Sequence, residues 1–160
     1  MINSRPILGF IEWGTFTIGD NTLPPVEVKV DSGAKRTALH AEDITPFTKD
    51  GKQWVRFTTS PNPFDDTDRR NTCEAEVVNT LAISSSNGIG NTRYVITCTI
   101  AIGELVFGDV EVTLTSRKGM GYRVLLGRLS MPNCLIDPHA DYLHGGPVND
   151  RRGTKIGNDD

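Results

Sequence analysis

Cysteine is scarce in this chain of 160 residues and badly spaced for chemistry: Cys73, Cys98 and Cys134 are odd in number and far apart. They make neither a disulfide framework nor a CxxC metal or redox motif, and a reducing compartment fits such usage. Histidine is as rare. His40, His139 and His144 form no HExxH or comparable cluster; His40 and Asp43 would meet on a helical turn, but two ligands do not make a zinc site, so no metal is expected. A phosphate cradle is lacking as well, because Gly119-Met120-Gly121 has no following Lys-Ser/Thr and helix, and no cofactor is expected. Net charge is only -3, with Lys and Arg scattered rather than gathered into a phosphate-tracking block, which argues against nucleic acid. No apolar run approaches a membrane span, and the opening Met1-Ile2-Asn3-Ser4-Arg5-Pro6 lacks the charged-then-apolar pattern of a signal peptide. The expectation is a cytoplasmic protein without a membrane partner. No histidine pairs recognisably with Ser84 to Ser86 or with a cysteine to make a nucleophile.

Long 3.6-residue periodicity is also hard to find, whereas alternation and β-branched residues abound, so the class is all-β. Strands are expected at Ile7 to Thr17, Val26 to Val30, Trp54 to Thr59, Glu76 to Ile83, Tyr94 to Ile102, Val106 to Thr115 and Tyr122 to Leu126. Thr37 to Ile44 is read as one short helical turn at most, Arg128 to Asn133 as the start of another, and Ser60 to Asn71 as a loop. Trp54 and Cys98 are assigned to the core and Glu12 and Trp13 to its edge. The chain is long enough for one core. Residues 1–144 are expected to form the domain and 145–160, rich in Gly, Asn, Asp and Arg, a mobile tail.

In Val26-Glu27-Val28-Lys29-Val30 the period of two puts three valines on one face and delivers Asp31 at the strand end. Asp31-Ser32-Gly33-Ala34 then makes a sharp turn, in which Gly33 can take backbone angles closed to other residues. A plain reading of this turn is an Asx hydrogen bond that ends the strand. The other is a carboxylate presented in a cleft. Far downstream, Arg123-Val124-Leu125-Leu126-Gly127-Arg128 repeats a strand followed by Gly-Arg, and between the two elements Asn87-Gly88 favours a hairpin tip.

These three parts, in this order, resemble the retrovirus-type aspartic proteases, the retropepsins. More closely, the chain is similar to the bacterial retropepsin-like family labelled ATP-dependent zinc protease. The resemblance is carried by Gly9-Phe10-Ile11-Glu12-Trp13, by Val30-Asp31-Ser32-Gly33-Ala34-Lys35-Arg36-Thr37-Ala38-Leu39-His40-Ala41, by Gly51-Lys52-Gln53-Trp54-Val55-Arg56-Phe57 and by Ser86-Asn87-Gly88. Arg93-Tyr94-Val95-Ile96, Leu114-Thr115-Ser116-Arg117 and Leu125-Leu126-Gly127-Arg128 extend it to about Asp137. The resemblance implies a closed β-barrel of the acid-protease type with at most one or two short helices. It also implies peptide hydrolysis by two carboxylates sharing one proton. One Asp-Ser-Gly per chain then demands a homodimer in which Asp31 of each copy meets across a two-fold axis.

In that scheme the Ser32 hydroxyl braces the turn, Gly33 lets substrate backbone approach, Ala34 lines the cleft, and the Asn87-Gly88 hairpin is the flap. The retroviral acid that pairs with the Arg of the Gly-Arg element is replaced here by Lys35, so Arg128 needs another partner. Lys35 and Arg36 are either two solvated bases or the grip on an acidic peptide, and bases beside a carboxylate pair favour its ionised form. Family members resemble proteins encoded near peptide-glutamate ligases, which suggests a glutamate-rich substrate. The rival functions are a non-catalytic peptide-binding module on the same fold, which adds an extended segment to a strand edge, and a monomer in which Asp31 is purely structural.

Overall fold

The computed structural model describes residues 5–61, 70–84 and 90–147. The expected tip residues Asn87 and Gly88, and the tail beyond residue 147, lie outside them. Among the described residues twelve strands run in the order β1 (Ile7–Ile18), β2 (Asn21–Thr22), β3 (Val26–Val30), β4 (Thr37–His40), β5 (Glu42–Lys49), β6 (Lys52–Thr59), β7 (Asn71–Glu76), β8 (Asn79–Ser84), β9 (Gly90–Ile102), β10 (Leu105–Thr115), β11 (Val124–Leu126) and β12 (Leu135–Asp141). One 3₁₀ turn, Arg128–Ser130, is the sole helical element among the described residues.

Six strands close a barrel in the order β1-β3-β11-β4-β10-β9 and back to β1. Closure removes open edges. Because side chains alternate along a strand, every second apolar residue enters the barrel: Phe16, Val28, Leu39, Ile96, Ile100, Val112, Leu114, Val124 and Leu126 are all buried. β12 extends the sheet beside β1 in parallel, and β8 extends it beside β9. A second sheet, β5-β6-β7, packs Val55, Phe57, Cys73 and Ala75 into the same core.

Four local expectations are corrected. Thr37–His40 is a strand, not a helical turn, because it pairs with β10 in parallel and with β11 in antiparallel register; buried ladder partners override a weak local preference. Glu42–Lys49 is also a strand, although it carries Pro46 and a positive φ at Asp43, and its place at the edge of the smaller sheet is where both are tolerated. The single strand expected at Glu76 to Ile83 is broken at Val77 and Val78, so β7 and β8 belong to different sheets. Trp54 faces outward, half-buried against Phe47 and under the Lys49 ammonium at 4.4 Å, since Val55 and Phe57 take the inward positions of β6.

The valine face of β3 is as expected, but Glu27 on the other face is fully buried too. Its carboxylate accepts a hydrogen bond from the Tyr142 hydroxyl. Glu12, also fully buried, accepts backbone N–H bonds from Gly9 at 2.7 Å and from Leu143 and His144 at 3.3 Å. Trp13 stacks on Tyr142 and Gly146 lies against its ring. Thus the segment through residue 147 is fastened to β1 and β3.

One crossing of the chain holds the barrel at β4 and β11. The Gly127 N–H donates to Thr37 Oγ1 at 3.1 Å, and the Thr37 and Ser130 hydroxyls share a 2.5 Å hydrogen bond. A side chain on Gly127 would run into the Arg36 backbone. Thr37→Val, which keeps the shape but strips the hydroxyl, is expected to cost about 1–3 kcal/mol, because a buried donor loses its acceptor. Gly127→Ala should cost about as much or more through overpacking. Urea unfolding midpoints test both, and unchanged midpoints would show that the crossing is not a source of stability.

The thiols give a second check. Burial pushes Cys73 up to about 11 and Cys98 up to about 12, and raises the half-buried Cys134 as well. At pH ~8 only about one Cys98 in ten thousand is then thiolate. A disulfide-exchange reagent should therefore modify Cys134 first, and Cys73 and Cys98 only at the rate of unfolding; equal rates at all three would contradict this packing.

Candidate active site

Asp31 stands where β3 ends, and its backbone is tied before its side chain is considered. Its N–H donates to the Leu126 carbonyl at 2.9 Å, continuing the parallel β3–β11 ladder by one step. The Ala34 N–H then returns to the Asp31 carbonyl at 3.1 Å, closing the turn. Beyond the turn, the Arg128 and Leu129 N–H groups donate to the Ala34 and Lys35 carbonyls at 2.8 and 3.1 Å. The Asp-Ser-Gly-Ala turn and the Gly-Arg element are thus bound together through main chain, a contact that needs particular backbone paths rather than particular side chains.

The Asp31 carboxylate is partly buried and accepts the Gly33 N–H on Oδ1 at 2.9 Å. This is the Asx bond of the plain reading, and it leaves the carboxylate at the rim of the barrel. Gly33 does not have a positive φ, which corrects the expectation about its backbone angles. The need is for space instead: a Cβ there would come within 3.1 Å of Asp31 Oδ1. Ser32 and Lys35 are exposed and Arg36 is half-buried.

A hollow of about 400 Å³, within the range of ligand sites, opens beside this turn. Ala34, Lys35, Arg36, Leu81, Arg93 and Arg117 are among its walls. Of the expected site residues it brings together Ala34, Lys35 and Arg36. Arg128 is exposed and outside this lining, joined to the site through its backbone. Leu81 and Arg93 come from β8 and β9, the two arms of the hairpin whose expected tip, Asn87-Gly88, lies outside the described residues.

Four cations line the hollow and, among the described residues, no carboxylate does. A neighbouring hollow of about 470 Å³ shares Arg36 and Thr37 but adds Asp109 and Glu111, so its charge is mixed. Arg36 reaches Glu111 at 3.5 Å, but the Arg36 side chain is about one third exposed and that of Glu111 more than half, and such a solvent-screened pair is held weakly. Arg117 is more firmly placed: its Nε donates to the Tyr122 carbonyl and its N–H to His40 Nδ1, both at 2.9 Å. Burial pulls the Arg117 guanidinium below the usual arginine range, while the nearby Asp31 carboxylate opposes that effect. Guanidinium remains charged through any such shift.

Arg93, Arg117 and Thr37 were not singled out from the sequence. Arg93 and Arg117 stand in segments that carried the family resemblance, but as lone cations among others they gave no sign of converging. Thr37 is a positioning residue that looks like any β-branched strand residue until its partners are known. His40 is buried and hydrogen-bonded to Glu42 at 2.7 Å, while His139 is exposed on β12, so the two are put to different uses.

The family model described as RimB-like, retropepsin-like aspartic endopeptidase RimB, matches residues 7–147. A Shewanella pealeana protein named "probable alpha-L-glutamate ligase" is 37% identical over 173 residues, covering 98% of this chain and 36% of its own length. A Shewanella halifaxensis protein of the same name is 39% identical, with 91% and 31% covered. The chain therefore spans about a third of the length of these curated relatives. A crystal structure of a Legionella pneumophila protein of unknown function superposes with a TM-score of 0.69 at 32% identity, covering 88% of this chain and 99% of that one. A barrel closed by six strands, an Asp-Ser-Gly turn bound to a Gly-Arg element and a family match along almost the whole chain lead to one assignment: the chain belongs to the RimB-like family of retropepsin-like aspartic endopeptidases.

Proposed function

We propose that the chain is an aspartic endopeptidase that works as a homodimer on an acidic, glutamate-rich peptide. The observation that carries this reading is the position of Asp31 on a turn pinned by main-chain bonds, beside a hollow walled by Lys35, Arg36, Arg93 and Arg117. The turn supplies one carboxylate and a second copy supplies the other. One Asp31, ionised, takes a proton from water as the oxygen attacks the peptide carbonyl carbon; the other, protonated, gives its proton to the carbonyl oxygen. Collapse of the tetrahedral species then breaks the C–N bond, with a proton passed to the leaving amine. Ser32 braces the turn at the meeting of the two copies, Gly33 admits substrate backbone, and Ala34 lines the cleft.

The cations support an acidic substrate class. Four positive groups in one hollow favour a peptide carrying several carboxylates and disfavour a basic one. The relatives add a second line of support, since a chain named for glutamate ligation carries a segment like this one. Three free thiols agree with a cytoplasmic setting, and among the described residues no helix is long and apolar enough to cross a membrane.

The test is cleavage of a glutamate-rich peptide by the purified chain and by Asp31→Asn, with sedimentation of both. The parent should be dimeric and active, and the variant dimeric with its rate down by about a hundredfold to ten-thousandfold or more, the range expected for losing a positioned acid–base group. Cleavage that survives Asp31→Asn, or that comes from a monomer, would refute the proposal. Peptide binding without turnover by the parent would favour the non-catalytic binding module instead.

A further inference from the structure

Arg117 in the lining of the hollow is fixed at two points, its side-chain Nε and its main-chain N–H, and the partner of the second is a buried histidine. The Arg117 N–H points at His40 Nδ1 at 2.9 Å, so Nδ1 must be the unprotonated nitrogen, and the ring proton sits on Nε2, where it is given to Glu42 Oε2 at 2.7 Å. The ring is 1% exposed. It is clamped on its main-chain side as well, since the His40 N–H donates to the Arg123 carbonyl and the His40 carbonyl accepts from the Thr59 hydroxyl. Charged groups near it include Glu42 at the start of β5, and Arg117 and Lys118 after β10, with the Lys118 ammonium 3.7 Å from Glu42 Oε1. Neutral His40 is thus a strut between β5 and the segment that carries Arg117.

At the far end of that segment the guanidinium lines the hollow beside Ala34, Lys35 and Arg36. Its Nε is engaged by the Tyr122 carbonyl, so its two Nη groups are what it can offer a carboxylate in the fork geometry that arginine favours. We propose that Arg117 is the specificity-determining residue of this hollow, gripping an acidic side chain of the peptide close to Asp31, and that His40 is the positioning residue that holds it there through the bond to Nδ1. The inference rests on the hollow being the peptide site, but not on Asp31 cutting the peptide.

The experiment measures binding of fluorescein-labelled pentaglutamate and pentaglutamine to the full chain carrying Asp31→Asn, so that turnover plays no part. The background should prefer pentaglutamate. Adding Arg117→Gln should weaken pentaglutamate binding by roughly ten- to a hundredfold, the range of a lost hydrogen bond to a charged group, and leave pentaglutamine binding unchanged. His40→Phe should act in the same direction. His40→Asn, whose Oδ1 replaces the Nδ1 acceptor, should restore most of the preference, an outcome that a merely space-filling histidine would not produce.

Acidification gives a further readout. A second ring proton on Nδ1 removes the acceptor for the Arg117 N–H, so protonation of His40 on acidification should lower the preference while glutamate side chains remain mostly ionised. The His40→Asn chain should show no such fall. Retained preference in Arg117→Gln, or no binding of either peptide to the background chain, overturns the proposal. A folded His40→Phe chain with full preference overturns the role of His40, and if that chain does not fold, the His40→Asn and pH measurements decide. Should the chain without Asp31→Asn cleave nothing while Arg117→Gln abolishes the preference, the peptidase reading fails and this inference stands.

Discussion

Everything at the candidate site depends on two lengths of backbone passing each other with no room for a side chain between them. Gly127 lies against the Arg36 main chain, and the hydrogen bonds on either side of the crossing run from Asp31 N–H to Leu126, from Gly127 N–H to Thr37, and from Arg128 N–H to Ala34. A loop buried at a barrel mouth would carry unpaired polar groups at several kcal/mol in all unless they found partners. Here each of these donors meets a carbonyl or hydroxyl of the other element. That exchange makes the turn rigid, and rigidity is what a catalytic carboxylate needs, because a displacement of about 1 Å can cost a hundredfold in rate.

The barrel supports the crossing from behind. β3 and β11 are parallel and β4 and β11 antiparallel, so three neighbouring strands present Asp31, Gly127 and Thr37 at one mouth, while Arg117, which follows the far end of the β4–β10 ladder next to His40, lines the hollow beside them. Buried carboxylates secure the remaining side. Glu12 collects three backbone donors and Glu27 the Tyr142 hydroxyl, which ties the segment after β12 across the outside of β1 and β3. Substituting either acid by an apolar residue would leave those donors without an acceptor, a larger loss than the bond itself contributes.

What could be read from the residue order followed from strong local signals. Period-two alternation in Val26–Val30 located β3 and its valine face, and the block from Asp31 to Ala41, with the further matching segments to about Asp137, is long enough to identify the family and its barrel. Misreadings arose where distant pairing decides the outcome. Thr37–His40 is a strand because β10 and β11 flank it, and Glu42–Lys49 because β6 does. The alternation of Glu27 was legible, its burial was not, since Tyr142 lies 115 residues away. Gly33 was assigned to backbone freedom when the constraint is the proximity of its own neighbour's carboxylate. The hollow was the least legible feature, because its cations come from segments with no sequential relation.

That gathering of charge bears on the proposed substrate. Two unit charges about 6 Å apart repel by roughly 3 kcal/mol at an effective dielectric of about 20, so cations drawn from the turn after β3, from β9 and from the end of β10 work against folding. Local carboxylates relieve only part of this: Glu111 meets Arg36 in a solvent-screened pair, and Asp31 faces Arg117. Nothing in the packing of the barrel requires the remaining positive charge to face inward on one hollow, in a chain whose overall charge is -3. Under the proposed function an anionic occupant would offset the repulsion on binding, so the same groups that repel one another in the empty hollow would stabilise the filled one, and their value would lie in recognition rather than in stability.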